Sequence, residues 1–365
     1  MAQGIIADNW SLQDISSLLS EGLTLDNYAE IVVEGDDHFY KPISGAVVQT
    51  EALFDLLTDL ILRDEILVDE KYTDTWEYEN SVILEARDLG VVRAFPFLDD
   101  PEKIAGPRDR IIGYLCSTES LKEAQDENVK SWTRNGQVTD EALSATLWGG
   151  AGMCARSYVF EKSYTPHPLR KRFFINSGFM LPAEDALHQI TTFLDDKKVH
   201  VTKKIYGNDY LYSAFINIPA LPLRVIQESS SVEQMISIAL QMRNDFQELR
   251  EWLKMFQNAM GRDDTKSLLE YRKLLDSVSH YVDKRIGHGS RNDSISMEAG
   301  IGIFKIAKQI NPIESIKNQF GVRAMLNKLI FGGSGKPEIQ KYIKMFGEKG
   351  SEIGFKVEQS FTNNK

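Results

Sequence analysis

The chain has 365 residues, of which 42% are apolar and 26% charged, with a net charge of −11 and two cysteines. This composition is that of a soluble globular protein of two or three domains, and it excludes collagen-like and low-complexity classes. Cys116 and Cys154 cannot build a multi-bridge disulfide framework or a four-thiolate zinc site, so a reducing cytosol is the expected setting.

The N-terminus shows no basic start followed by an apolar core, and residue 2 is alanine, so neither a secretory signal nor myristoylation is expected. The weakly apolar run Ala145 to Ala155 falls far short of the roughly 20 residues a spanning helix needs. Charge is unevenly spread. Residues 1–150 carry 30 acidic and 11 basic side chains, a balance of −19, while the rest carry 23 and 31, a balance of +8. The split separates two surfaces or marks two regions that attract each other.

In chain order, Ser11 to Glu21 reads as a helix capped by Ser11 and stopped at Gly22. Tyr28 to Glu34 and His38 to Val48 alternate about Gly35-Asp36-Asp37, the pattern of a β-hairpin. An amphipathic helix follows over Glu51 to Arg63, then a short buried strand, Ile66-Leu67-Val68. Ser81 to Leu89 reads as a helix closed by Gly90, with a strand over Val91 to Phe95. Pro101 to Pro107 reads as loop, and Arg108 to Asn135 as mostly helical. A turn at Asn135-Gly136 precedes a helix opened by Thr139, Asp140 and Glu141, whose charges suit the helix dipole. A helix over Pro182 to Asp196 and irregular strands over Val199 to Ile218 follow.

The most regular stretch is Val232 to Met260. Val232, Met235, Ala239, Met242, Phe246, Leu249, Leu253, Phe256 and Met260 recur at spacings of three and four. Ser231 with Gln234 supplies a capping box at its start, and Gly261 a stop. A second helix with a seam at Leu268, Tyr271, Leu275, Val278 and Val282 follows within about five residues, so the two are expected to fold back as an antiparallel αα-hairpin. Helices interrupted at Pro312, a Gly332–Gly335 loop, a last helix from Pro337 to Phe346 and a polar tail complete the reading. The fold class expected is α+β: a mixed N-terminal region, then a mainly α-helical region centred on the long hairpin. The domains expected are 1–147 (acidic, α+β), 148–230 (basic, connecting), 231–287 (hairpin) and 288–365 (C-terminal helices and tail).

Catalytic motifs are sparse. Gly332-Gly-Ser-Gly-Lys336 lacks the first glycine and the hydroxyl residue of a phosphate loop, since those positions hold Ile330 and Pro337. Gly150-Ala-Gly-Met-Cys-Ala155 matches a dinucleotide fingerprint by letters, but a helix precedes it, and close helix packing is the preferred reading. The six histidines show no metal-ligand spacing, and neither a nucleophile elbow nor a Cys/His pair is present.

Two constellations carry more. Asp69-Glu70-Lys71 follows the buried strand and resembles the (D/E)-x-K half of the PD-(D/E)xK nucleases, with Asp55 or Asp59 as the upstream acid. The resemblance implies carboxylates holding Mg²⁺ and a lysine polarising water, although both upstream acids lie on a helix rather than a strand. A solvated charged turn is the plainer explanation.

Arg170, Lys171 and Arg172 beside Phe173 and Phe174, with Lys203 and Lys204 further on, could bind nucleic acid by pairing with phosphates and stacking on bases. Burial of the two phenylalanines, with the cations facing water or the acidic region, is preferred. The resulting expectation is a cytoplasmic, non-enzymatic interaction or regulatory protein that assembles with a protein partner or with itself, with no cofactor or metal and no membrane span. The alternative is a Mg²⁺-dependent nucleic-acid enzyme using Asp69, Lys71 and Asp55, of a kind suited to bacterial defence.

Overall fold

A computed structural model describes residues 4–70, 81–96, 101–179, 181, 185, 187, 190, 220–262 and 264–286. Lys71, Lys203, Lys204, the strands expected over 199–218 and the whole C-terminal region from residue 287 lie outside these. The chain divides into two compact units, Met1–Glu184 with Phe361–Lys365, and Asp185–Ser360.

The first unit is built on a strand that the periodicity does not reveal. Gly4–Ala7 forms β1, buried along its whole length. Four apolar residues buried on both faces show no alternation, so nothing in the pattern marks them as a strand. The helix α1, Asn9–Glu21, starts two residues earlier than expected, because Asp8 rather than Ser11 is its cap and accepts the Trp10 N–H. Strands β2 (Asn27–Glu34) and β3 (Asp37–Ser44) pair antiparallel as a hairpin. Gly35 takes φ 62 at the first turn position, a conformation that disfavours a side chain.

The second strand ends sooner than expected. Helix α2, Gly45–Leu62, begins at Gly45, whose N–H bonds the Asp26 carbonyl at 2.9 Å. A Cβ there would lie 2.7 Å from that oxygen, so only glycine permits the approach. Strands β4 (Glu65–Asp69) and β5 (Val92–Phe95) flank α3 (Ser81–Asp88), as the sequence indicates.

Helix α4, Pro101–Leu115, includes the stretch expected as loop. Pro101 occupies the first helical position, which proline tolerates, and Pro107 lies inside the helix. Helix α5 is Glu119–Asn135, ended by Gly136 in the left-handed region. A short helix α6 (Glu141–Leu143), capped by the Asp140 carboxylate, runs through a π-helical turn, Ser144–Trp148, into α7 (Gly149–Phe160). Strand β6 (Ser163–Thr165) and helix α8 (Pro168–Asn176) close the unit.

The order β5-β4-β1-β6 makes one sheet, with every neighbouring pair parallel. The N-terminal region is therefore mixed α/β. Residues 163–165, in the stretch expected to connect domains, add a strand to the sheet of β1. Ile6 and Leu67 face a core shared with Leu115, Leu121, Leu147, Cys154 and Phe173, while Ile5 and Ile66 point to the other face by the pleat.

The second unit is helical where described: α9 (Ala220–Glu228), α10 (Val232–Asp245), α11 (Gln247–Met260) and α12 (Thr265–Ile286). The capping box holds, with the Gln234 N–H bonding Ser231 Oγ and the Gln234 side chain returning to the Ser230 N–H. The single helix expected over Val232–Met260 is corrected: it is broken at Phe246, which takes φ −107 and ψ 17. Trp252, Phe256 and Tyr271 form an aromatic cluster between α11 and α12. Among the described residues no helix is long and apolar enough to cross a membrane.

Candidate functional site

In an open parallel sheet, ligands bind at the carboxyl ends of the strands, where the strand order reverses. Here the reversal falls between β1 and β6, since from β1 the chain continues to β4 on one side and only later adds β6 on the other. The residues at those carboxyl ends are Asp8, Thr165 and His167.

Asp8 is 1% exposed and accepts four hydrogen bonds. Oδ1 takes the Trp10 N–H at 2.9 Å and Arg170 Nη1 at 2.6 Å. Oδ2 takes the His167 N–H at 2.9 Å and the Tyr164 hydroxyl. Two donors on each oxygen fill the acceptor capacity of a carboxylate. Burial alone would raise its pKa, but the Arg170 charge, with the Tyr164 and backbone hydrogen bonds, holds it below the usual carboxylate value. The same burial, with the Asp8 charge, pushes the Tyr164 phenol well above its ordinary value.

Arg170 reaches Asp8 because the π turn makes room for it. The Gly149 N–H bonds the Ser144 carbonyl, five residues back, which releases the Ala145 carbonyl from the helix ladder. Arg170 Nε and Nη2 take that carbonyl at 2.9 and 2.8 Å. A Cβ on Gly149 would sit 2.1 Å from Arg170 Nη2, and one on Gly150 2.9 Å from the Phe174 ring. Gly150, the first glycine of the stretch that resembles a nucleotide fingerprint, therefore serves close packing.

His167 is fully buried and caps α8. Its Nδ1 accepts the Leu169 N–H at 3.3 Å, which leaves Nε2 as the donor to Asp14 Oδ2 at 3.0 Å. Its ring stacks on Trp10 at 3.9 Å and 8°. Tyr28 donates to the other Asp14 oxygen at 2.9 Å. Thr165 Oγ1 donates to Asp59 Oδ2 at 2.7 Å, and Arg63 Nε lies 3.3 Å from Asp59 Oδ1.

No protein-family model, curated protein or solved structure matches the chain.

Of the sequence candidates, Asp69 lies 2% exposed at the carboxyl end of β4, the strand paired parallel to β1. Asp55, on α2, lies 3.6 Å from Lys171, so one acid of the nuclease reading meets one cation of the nucleic-acid reading. Arg172 pairs with Glu51 at 2.7 Å. Arg170 is 6% exposed and spent on Asp8 and Ala145, and Phe173 and Phe174 are core. The described cations of this segment face the acidic helix α2 and the buried Asp8.

The periodicity did not single out Asp8, Asp14, Tyr164 or His167. The available signals were an aspartate between a short apolar run and a helix, and a histidine directly before a helix-opening proline.

A groove of about 550 Å³ lies against Trp148, lined by Ile112, Gly113, Cys116, Gln125 and charges of both signs such as Asp109 and Lys122. Arg108 sits over the Trp148 ring at 4.6 Å and pairs with Asp109 at 3.3 Å. Cys116 donates to Gln125 Oε1 at 2.8 Å, and burial with the nearby Asp126 pushes its thiol up to about 12, far from a reactive thiolate.

Proposed function

We propose that this chain is a cytoplasmic, non-enzymatic interaction or regulatory protein that works by assembling with a protein partner or with a second copy of itself. The observation that carries this reading is the filled switch point. Where an open parallel sheet receives its ligand, this chain places its own Arg170 and His167 on a carboxylate whose acceptor sites are all taken. The available surface is instead apolar in places: Tyr114 is 54% and Ile175 69% exposed, and Tyr114 packs on Phe179, three residues beyond the α8 terminus. Antiparallel pairing of α11 with α12 is part of the reading, as a rigid helical platform for assembly.

Light scattering on the full chain, with and without Tyr114→Asp and Ile175→Asp, tests it. A mass above that of one chain, lowered by the two substitutions, is the expected result. A single-chain mass across all concentrations, together with no protein retained in pull-downs, overturns the reading.

A second reading draws on one observation, the buried Asp69 at the carboxyl end of a strand parallel to β1. It is Mg²⁺-dependent nucleic-acid cleavage by Asp69, Lys71 and Asp55. Against it, Asp55 lies 3.6 Å from Lys171, which already meets its charge. If Asp69→Ala leaves Mg²⁺-dependent cleavage unchanged, or no cleavage exists, the reading fails.

A further inference from the structure

We infer that the break at Phe246 is a two-position hinge: α10 and α11 can join into one continuous helix over Val232–Met260, and Arg224 and Arg250 hold them in the broken form. The inference stands apart from the assembly reading and survives its failure.

Sharp interruptions of a helix have identifiable causes, chiefly proline, glycine, π turns or a side chain inserted into the ladder. Between Val232 and Met260 there is no proline and no glycine, and the apolar spacing runs through Asp245-Phe246-Gln247 without slipping. The local sequence therefore prescribes continuity. The break has to come from side chains.

Two arginines supply it. Arg250 donates a guanidinium N–H to the Arg243 carbonyl. In a continuous helix that carbonyl would accept from the Gln247 N–H, four residues on. Arg170 does the same to Ala145 in the first unit, where a guanidinium takes a carbonyl that the helix gives up. Arg224, from α9, lies 6.0 Å over the Phe246 ring, 3.8 Å from Asp245 and 3.0 Å from Glu228. Phe246 itself bonds its N–H to the Asn244 carbonyl and gives its own carbonyl to Arg250 N at 3.0 Å, which starts the next helix.

The apolar term hardly chooses between the two forms. Met235, Met242, Phe246, Leu249 and Phe256 are buried on either side of the break, and in a continuous helix they would share one stripe. The clamp also carries a cost, because Nη1 of Arg224 is buried with no hydrogen-bond partner. With burial balanced and one donor unsatisfied, the arginine contacts decide the position of the hinge.

The test uses the full chain with spin labels at Gln241→Cys and Asn258→Cys, both exposed, while the native thiols are buried. In a continuous helix the two labelled positions stand about 26 Å apart, at about 1.5 Å per residue. Amide exchange at Gln247 and Glu248 gives a second readout, since the first N–H groups of a helix lack an internal partner.

The broken form is expected to give a distance shorter than about 26 Å and fast exchange. Arg224→Gln with Arg250→Gln should move the distance to about 26 Å and slow exchange at both amides, while Arg250→Lys, which keeps a donor, should stay short. A double variant with unchanged distance and exchange overturns the hinge. If the double variant does not fold, Arg250→Gln alone decides by the same readouts.

Discussion

Arg170 places Nη1 2.6 Å from Oδ1 of Asp8, although 162 positions separate them in the chain. The pair joins the end of β1 to α8, and both groups are almost fully buried. A buried ion pair repays its desolvation only when its remaining hydrogen-bonding capacity is filled, and here Asp8 has three further donors and Arg170 the Ala145 carbonyl. Removing one member leaves the other charged and buried. Asp8→Asn should lower stability by about 3–5 kcal/mol, read as a lower midpoint in denaturant. Adding Arg170→Met should recover part of that loss, and a cycle with no recovery would show that the two residues act independently.

The same pair sets an acid limit. Asp8 has a folded-state pKa below its ordinary value, so its contribution is fully present above the usual carboxylate range and is lost as pH falls through the folded value. Unfolding followed from pH 6 downward should show stability falling below about pH 4 in the parent. That fall should be shallower in Asp8→Asn.

At the alkaline end the sign reverses. Tyr164 has its pKa raised, so its contribution is present below the ordinary phenol value and is lost as pH rises towards the folded value. Tyr164→Phe should cost about 1.5–3 kcal/mol at neutral pH, the range for a hydrogen bond to a charged group. The decline in its stability above about pH 10 should also be weaker than in the parent, as circular dichroism against pH would show.

Local signals in the sequence found much of the frame. The Gly35 turn, the β4 run, the Gly90 and Gly136 stops and the Ser231–Gln234 box all act within a few residues, and each is where the spacing places it. What stayed hidden depends on distant parts of the chain. Strand β1 is recognisable only through its neighbours β4 and β6, and the role of Asp8 only through Arg170 and His167. The break at Phe246 was invisible in the apolar spacing, which runs through it without slipping and without proline or glycine.

Gly149 and Gly152 share a helix but should respond in opposite ways to alanine. At Gly149 the new Cβ would press on a guanidinium held by Asp8 and Ala145, 2.1 Å away, with nowhere for it to go. Gly149→Ala should approach the cost of losing the ion pair. At Gly152 the nearest atom is the far end of Arg156, at 3.2 Å, and a small shift suffices. Gly152→Ala should be neutral, or more stable by up to about 1 kcal/mol, the helix preference of alanine over glycine. Thermal melts of the two variants side by side check this, and equal losses at both positions would mean that Arg170 is not the cause.

His167 combines three contacts that substitutions can separate. Its Nδ1 caps α8, its Nε2 meets Asp14, and its ring covers Trp10. Asparagine is a good capping residue but is too short to reach Asp14 and has no ring to stack. His167→Asn should therefore keep the cap and lose the rest, whereas His167→Ala should lose all three. The difference between the two variants measures the cap and should be about 1 kcal/mol. The backbone N–H of residue 167 still reaches Asp8 in both variants, so neither should match the loss seen in Asp8→Asn. Stability of the three variants in urea at neutral pH gives the order directly: His167→Asn least affected, then His167→Ala, then Asp8→Asn. If His167→Ala proves the worst of the three, the histidine rather than the Asp8–Arg170 pair is what holds β1 to α8.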